Sequence, residues 1–394
     1  MNNETNSSLL NAAPQATYQA AGAVAPMVEA HFARHLAAAR ERGDQDLAPE
    51  PTAQTIEAII DATFWASLRR EEGHSPKISL AFVSPEQASF PLIFERPLPL
   101  APNILTKLGP AVERPGIHLG VWHANSGDGE LQIWGATRKV PDLCFVLEVV
   151  EPGLLVVKHR RRDGFGKFAN VAVLKGEQVK VVDEAGASLP DCPALLTTLL
   201  GFTSPSLRDE AANVLVQLAA SMRAHGHGGS LLVVPGGTEN WRDSIVHPIL
   251  YSVAPHFSGL ADLMRQDASE RDQNLWEGAA RKAVDTVAGL TAVDGATVIS
   301  DQYEVLAFGA KIGRARGNAP IEQMLVTQPI VGDEAAVIHP AQHGGTRHLS
   351  AAQFVFDQRD TLALVASQDG RFTIFAWSPC EDMVHAHRVD TLLL

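Results

Sequence analysis

Two short segments in the C-terminal half combine residue types that could do chemistry. The first is Asp294-Gly295-Ala296, which stands at the start of an apolar run, residues 296–300. A carboxylate there can bind a divalent cation, and a glycine lets the backbone approach a ligand closely. Asp-Gly is also an ordinary turn signal, and turn formation alone would explain it. The segment by itself is therefore weak evidence for a site.

The second segment is His-Gly-Gly-Thr-Arg-His at residues 343–348, directly before a predicted helix. Glycines expose backbone N–H groups, and the start of a helix adds the positive end of its dipole. Thr346, Arg347 and His348 add a hydroxyl, a guanidinium and an imidazole. These groups suit a polyphosphate. The alternative is a capped helix start with an exposed arginine, and the segment alone does not decide between the two.

The order and spacing of these segments resemble the diadenylate cyclase domain of DisA-type proteins over residues 205–380. The resemblance includes the strand that contains Gly309 and the segment Asp360–Gly370, and Gly228-Gly229 with the apolar residues after it resembles the first core strand of that family. Family members bring two ATP molecules face to face across a homodimer, make cyclic di-AMP and release pyrophosphate. The resemblance implies the same reaction here, with ATP or a cyclic dinucleotide as ligand and a homodimer or higher oligomer.

The resemblance also assigns roles to individual residues. It implies that the catalytic residues are Asp294, Arg347 and His348. It implies that the nucleotide-binding residues are Gly295, Ala296, Gly309, Gly345, Thr346, Arg347, His348 and Ser367. It places a divalent metal, Mg²⁺ or Mn²⁺, on Asp294 and Asp369.

The sequence departs from the cyclase pattern at several positions. Leu349 stands where the family has a second arginine, and a contact from a charged group of that kind is typically worth ~1.5–3 kcal/mol. Gln368 and Asp369 replace family glutamates. The layout of the whole chain also resembles the DACNV group of cyclase-related sensor domains, for which nucleotide sensing in bacterial signalling or defence is proposed. A catalytically weak or inactive nucleotide sensor is therefore the alternative function, and a structural module that binds no nucleotide is a third.

Composition limits the partners of the protein. The chain has 394 residues, 45% of them hydrophobic and 20% charged, which is typical of a globular protein. With 45 Asp and Glu against 32 Lys and Arg, its formal net charge is -13. A general attraction for nucleic acid or anionic lipid is not expected, so an anionic ligand needs a local basic cluster. The basic run Lys158–Arg162 could bind phosphate, but an exposed hairpin tip explains it better.

The remaining patterns predict the elements that must position these residues. We expect a flexible arm over residues 1–25, a helical and then β-rich domain over 26–195, and a nucleotide-binding domain over 205–394. The second of these is expected to begin with two helices, the second helix ending on Gly73, and to continue with eight β-type runs between residues 77 and 182. A further helical stretch is expected over about 255–290. Helices and strands alternate in the nucleotide-binding domain, so the fold class is α/β, with a C-terminal mixed sheet flanked by helices. The three cysteines form no CxxC pair, and no apolar stretch is long enough to span a membrane. We therefore expect a cytoplasmic protein.

Overall fold

The computed structural model describes residues 17–124, 129–161, 168–184, 191, 193–200, 209–266 and 273–394. Within them the chain forms two mixed β-sheets flanked by helices, and the predicted α/β class is confirmed. The chain divides into two compact units, one within residues 1–155 and 174–179, the other within 156–173 and 180–394.

The elements have the following bounds. The helices are α1 Gln19–Glu41, α2 Ala53–Ser67, α3 Pro102–Val112, α4 Ala194–Leu200, α5 Asp209–Ala224, α6 Gly259–Arg265, α7 Gln273–Leu290 and α8 Thr346–Asp357. The strands are β1 Ser79–Phe82, β2 Leu92–Pro99, β3 His118–His123, β4 Leu131–Thr137, β5 Phe145–Glu151, β6 Leu154–Arg160, β7 Phe168–Lys175, β8 Gln178–Val181, β9 Gly229–Val234, β10 Tyr251–Phe257, β11 Ala296–Ser300, β12 Val305–Ala310, β13 Met324–Thr327, β14 Ala336–Ile338, β15 Leu362–Ala366, β16 Phe372–Ser378 and β17 Met383–Arg388.

The first unit begins with the two predicted helices. In α1, Val28, Phe32 and Leu36 are fully buried at a spacing of four residues, as the sequence indicates. This helix starts at Gln19, and Ala21 in its first turn is buried. The flexible arm predicted to residue 25 is therefore wrong from Gln19 onwards. Residues 1–16 of that arm lie outside the described residues. The helix α2 ends at Ser67 and not at the glycine of residue 73 predicted as its cap.

The first sheet contains all eight β-type runs that the sequence predicts between residues 77 and 182. Its strand order is β2-β4-β3-β1-β5-β6-β7-β8, and β1 runs parallel to β3. Close packing of the sheet is visible at Gly120 of β3, where a Cβ atom would lie 2.1 Å from the ring of Trp134. The helix α3 was not predicted from this β-rich stretch, and it begins on Pro102, a residue whose fixed φ suits a first helical turn.

The second sheet has nine strands in the order β10-β12-β11-β9-β15-β16-β17-β13-β14. Strand β9 runs parallel to β11 and antiparallel to β15. Its residues Leu231 and Val233 pack under α4, α5 and α7, whereas Leu232 and Val234 pack under α8. Burial on both faces explains why the central strands read as continuous apolar runs. The helical stretch predicted over 255–290 is wrong at its start, where β10 runs to Phe257.

Candidate anion-binding site

The sequence segments singled out above meet at one end of the second sheet. Ala296, at the start of β11, pairs with Ser230 of β9 and with Ala310 at the end of β12. On the other side of β9, Gly229 pairs with Ala366, the last residue of β15. The Asp-Gly turn before β11, the glycines before β9 and the turn after β15 therefore share one edge of the domain.

The Asp-Gly-Ala segment is held by a close approach of two backbones. Asp294 is exposed in the turn between α7 and β11. Gly295 and Gly309 have φ of +107° and +60°, and a Cβ atom on Gly295 would lie 2.5 Å from the carbonyl carbon of Gly309. Close contact between the two backbones therefore explains why both positions are glycine. The sequence alone suggested that these glycines make room for a ligand. Ala296 is buried in the core, so its side chain is not available to a ligand.

The second segment forms the start of α8. Gly345 is the N-cap residue with extended backbone, and no side chain of the described residues caps this end. The first turn contains no acidic residue, and Thr346 is exposed. The N–H of His348 donates to the carbonyl oxygen of Gly345. The N–H groups of Thr346 and Arg347, which come first in the helix, are the ones that can bind an anion here.

Arg347 reaches from α8 to the end of the sheet. A Cβ atom on Gly228 would lie 3.1 Å from the Nη1 atom of Arg347 and 3.2 Å from the carbonyl oxygen of Ala366. Gly228 and Asp294 each precede their paired residues, Ser230 and Ala296, by two positions. Because neighbouring strands are roughly 4.8 Å apart, the guanidinium and the Asp294 turn lie at the same sheet end.

The two histidines of the segment lie behind this arginine. His348 is 3% exposed, and its ring lies 5.4 Å from the ring of His343, whose Nε2 is 3.3 Å from Thr373 Oγ1. Burial lowers the pKa of His343 to about 4, and the charges of Arg371 and Arg388 act in the same direction. Burial also lowers the pKa of His348. Both imidazoles are therefore neutral at neutral pH.

Two further arginines lie near these histidines, and the sequence motifs did not point to them. Arg371 precedes β16, and Arg388 ends β17, where it is paired with Thr373. With Arg347 they are close enough to His348 for their charges to lower its pKa. We call Arg347, Arg371 and Arg388 the arginine cluster. Leu349, which stands where the cyclase pattern has an arginine, is 37% exposed on α8. The other two arginines of the cluster lie just before β16 and at the end of β17 instead.

The second predicted metal ligand is already engaged. Asp369 Oδ2 lies 3.2 Å from Arg371 Nε, and a hydrogen bond from Ser367 is the main cause that lowers the pKa of this carboxyl group. Ser367 is partly buried and fixes the turn, since its N–H donates to the carbonyl of Arg371. In the described residues, no group of three metal-binding side chains includes Asp294 or Asp369. Asp294 alone fits a cation that arrives with phosphates, because Mg²⁺ is usually held by one or two carboxylates plus substrate oxygens.

A pair of histidines before β9 and the basic run make structural contacts within the described residues. His225 Nε2 lies 3.1 Å from Thr291 Oγ1, and its Nδ1 accepts a hydrogen bond from the backbone N–H of His227. In the basic run, Arg161 is largely buried and donates from Nη2 to the carbonyl of Leu199. Residue 162, the last of that run, and residues 163–167 lie outside the described residues, so the predicted hairpin tip stays a prediction.

Comparison with protein-family models gives a match to a sensor domain. Residues 45–138 match the family model described as probable sensor domain DACNV. The matched segment contains α2, α3 and β1 to β4, all in the first unit. It does not reach residues 205–380, on which the resemblance to cyclases rests. The search of curated proteins found no match. No helix among the described residues is both long and apolar enough to span a membrane.

Proposed function

We propose that this protein is a sensor of a nucleoside polyphosphate, which binds at the arginine cluster. The observation that carries the proposal is the arrangement at the end of the second sheet, where the guanidinium of Arg347 lies beside Gly228 and the start of α8, with Arg371 before β16 and Arg388 at the end of β17. Arg371 and Arg388 also face carboxylates, those of Asp369 and Asp390, whereas no ion pair of Arg347 is seen among the described residues. A protein of net charge -13 has little general attraction for anions, so an arginine without a carboxylate at the start of a helix favours a specific anionic ligand. The sensor-domain match in the first unit supports a receptor role.

The helix start supplies the second element of such a site. Phosphate oxygens prefer the N-terminal end of a helix, where N–H groups are unpaired and the dipole is positive. In α8 this end carries Thr346 and Arg347, and the same turn leads to His348. Arg347 would bind the phosphates directly, while Asp294 would hold a divalent cation that arrives with them.

A diadenylate cyclase is the second candidate, favoured by the position of Asp294 at the same sheet end as Arg347. In that reaction the 3′-oxygen of each ATP attacks the α-phosphorus of the other, and pyrophosphate leaves. Two features weigh against it. Asp369 is paired with Arg371, which reduces its capacity to bind a metal. Leu349 leaves the helix one cation short of the family pattern.

Calorimetric titration of the full chain with ATP and Mg²⁺ tests the proposal. We expect binding by the wild-type protein and a loss of about 10- to 100-fold in affinity for Arg347→Ala, which corresponds to a charged hydrogen bond of about 1.5–3 kcal/mol. Arg281→Ala on the exposed side of α7 is the matched control and should bind as the wild type does. Equal affinities of all three proteins would contradict the proposal.

Mass analysis of the products separates the two candidates. The full chain at high concentration is incubated with ATP and either Mg²⁺ or Mn²⁺. A sensor leaves ATP unchanged, whereas a cyclase yields cyclic di-AMP or its linear intermediate. Binding with no product supports the receptor, and accumulation of the cyclic product would transfer the assignment to the enzyme.

A further inference from the structure

An aromatic side chain stands next to the Asp-Gly turn on a strand that sequence analysis did not predict. Tyr251 begins β10, the edge strand of the second sheet, and pairs with Phe308 of β12. The two rings are stacked, with centroids 4.8 Å apart and an interplanar angle of 5°. Tyr251 is 47% exposed. Phe308 therefore covers one face of the ring, while about half of Tyr251 stays exposed.

Gly309 joins this ring to the candidate site. A Cβ atom on Gly309 would lie 2.7 Å from Cδ2 of Tyr251 and 3.3 Å from the carbonyl oxygen of Asp294. The tyrosine ring and the Asp294 turn therefore pack on the same point of β12. Only a glycine, with its φ of +60°, allows both to come so close.

The strand order places this ring and the arginine cluster at the same end of the sheet. From β10 the sheet continues through β12 and β11 to β9, which is three strand spacings, or roughly 14 Å. At β9 lies Gly228, against which Arg347 is packed. An aromatic ring, a carboxylate and a guanidinium thus follow one another along the sheet end. An extended nucleotide likewise runs from its base to its phosphates, which carry the divalent cation.

We propose that Tyr251 stacks on the base of the bound nucleotide, so that the site selects nucleoside polyphosphates over free polyphosphate. This inference rests on the proposed function and adds the recognition of the base to it. The Phe308 ring holds the Tyr251 ring in place, so that Tyr251 is preorganised for stacking on a base. Aromatic side chains can stack on every base, because each base has a π-face. The site is therefore expected to require a base and to discriminate weakly between bases.

The experiment compares two ligands, ATP and inorganic tripolyphosphate, by calorimetry with the full chain. Tyr251→Ala should weaken ATP binding by about 5- to 100-fold, the effect of losing one base–aromatic stack, and should leave tripolyphosphate affinity unchanged. Tyr251→Phe keeps the ring and should bind ATP as the wild type does. Phe257→Ala is the matched control, since Phe257 is 44% exposed on the same strand but pairs with Val305, away from the Asp294 turn.

Each outcome bears on one of the two proposals. If wild-type protein binds ATP and Tyr251→Ala binds it equally well, Tyr251 is not the stacking residue. The wild type supplies a second measurement that needs no variant, because ATP and tripolyphosphate of equal affinity would also overturn base recognition while leaving the arginine cluster in place. If neither ligand binds, the proposed function fails together with this inference. A loss of ATP binding in both Tyr251→Ala and Phe257→Ala would assign the effect to the edge strand as a whole and overturn the role of Tyr251.

Discussion

Mild acid should destabilise the second unit through one buried histidine. His387 of β17 is fully buried, and its Nδ1 lies 2.8 Å from Thr327 Oγ1 on the parallel neighbour β13. Its ring lies 5.7 Å from that of His385, and its Nε2 has no hydrogen-bond partner among the described residues. Burial lowers the pKa of His387 to about 4, from an ordinary value of 6.5. The folded protein therefore favours the neutral imidazole.

The sign and size of the effect follow from this shift. A histidine with a lowered pKa contributes its full stability above the unfolded value of 6.5 and loses it as the pH falls towards 4. Between pH 7.5 and pH 5 the loss for His387 is about 2 kcal/mol, since each pKa unit corresponds to about 1.4 kcal/mol. That is a large part of the free energy of unfolding of a typical domain.

Urea unfolding at the two pH values measures this loss. In the wild type the free energy of unfolding should fall by about 2 kcal/mol more than in His387→Gln, which carries no titratable group at that position. If His387→Gln shows the same pH dependence as the wild type, His387 is not the group that titrates.

Three further predictions concern the site and the sensor segment. Leu349→Arg adds a guanidinium at an exposed position of α8 and should strengthen tripolyphosphate binding by up to about tenfold in calorimetry. Unchanged affinity would show that the missing cation does not limit binding. Asp294→Asn should abolish the gain in ATP affinity that Mg²⁺ provides and leave metal-free binding unchanged, and a persisting gain would remove Asp294 from the cation site. Gly120→Ala should lower the free energy of unfolding by about 1–3 kcal/mol in urea, because the added Cβ would overlap the Trp134 ring; a stability equal to that of the wild type would refute this packing.

The sequence predicts best the strands that are buried on both faces. Runs such as residues 230–234 and 296–300 are continuously apolar because helices cover both sides of the sheet. Two strands of the same sheet lack that signal. Six of the seven residues of β10 are exposed, and β17 places His385 and His387 at buried positions where apolar residues are expected. A strand such as β17, whose buried side chains include polar ones, is therefore hard to recognise from the sequence.

The residues of the candidate site also differ in how well the sequence predicts them. Its local motifs are visible in the sequence, because a glycine-rich helix start and an Asp-Gly turn are formed by consecutive residues. The arginines from the other strands are not, since Arg388 lies 41 positions after Arg347 and comes near it only through the pairing of β17 with β16. The Asp369-Gly370-Arg371 turn was a usable signal for one of them. Nothing in the sequence marks Arg388.

The position of a bound nucleotide tests the central claim most directly. The measurement is a crystal structure of the full chain with an ATP analogue that cannot be cleaved between the α- and β-phosphorus atoms. The account predicts phosphate oxygens within hydrogen-bond distance of the Arg347 guanidinium and of the N–H groups at the start of α8. A nucleotide bound within residues 45–138, the segment that matches the sensor-domain family, would contradict it.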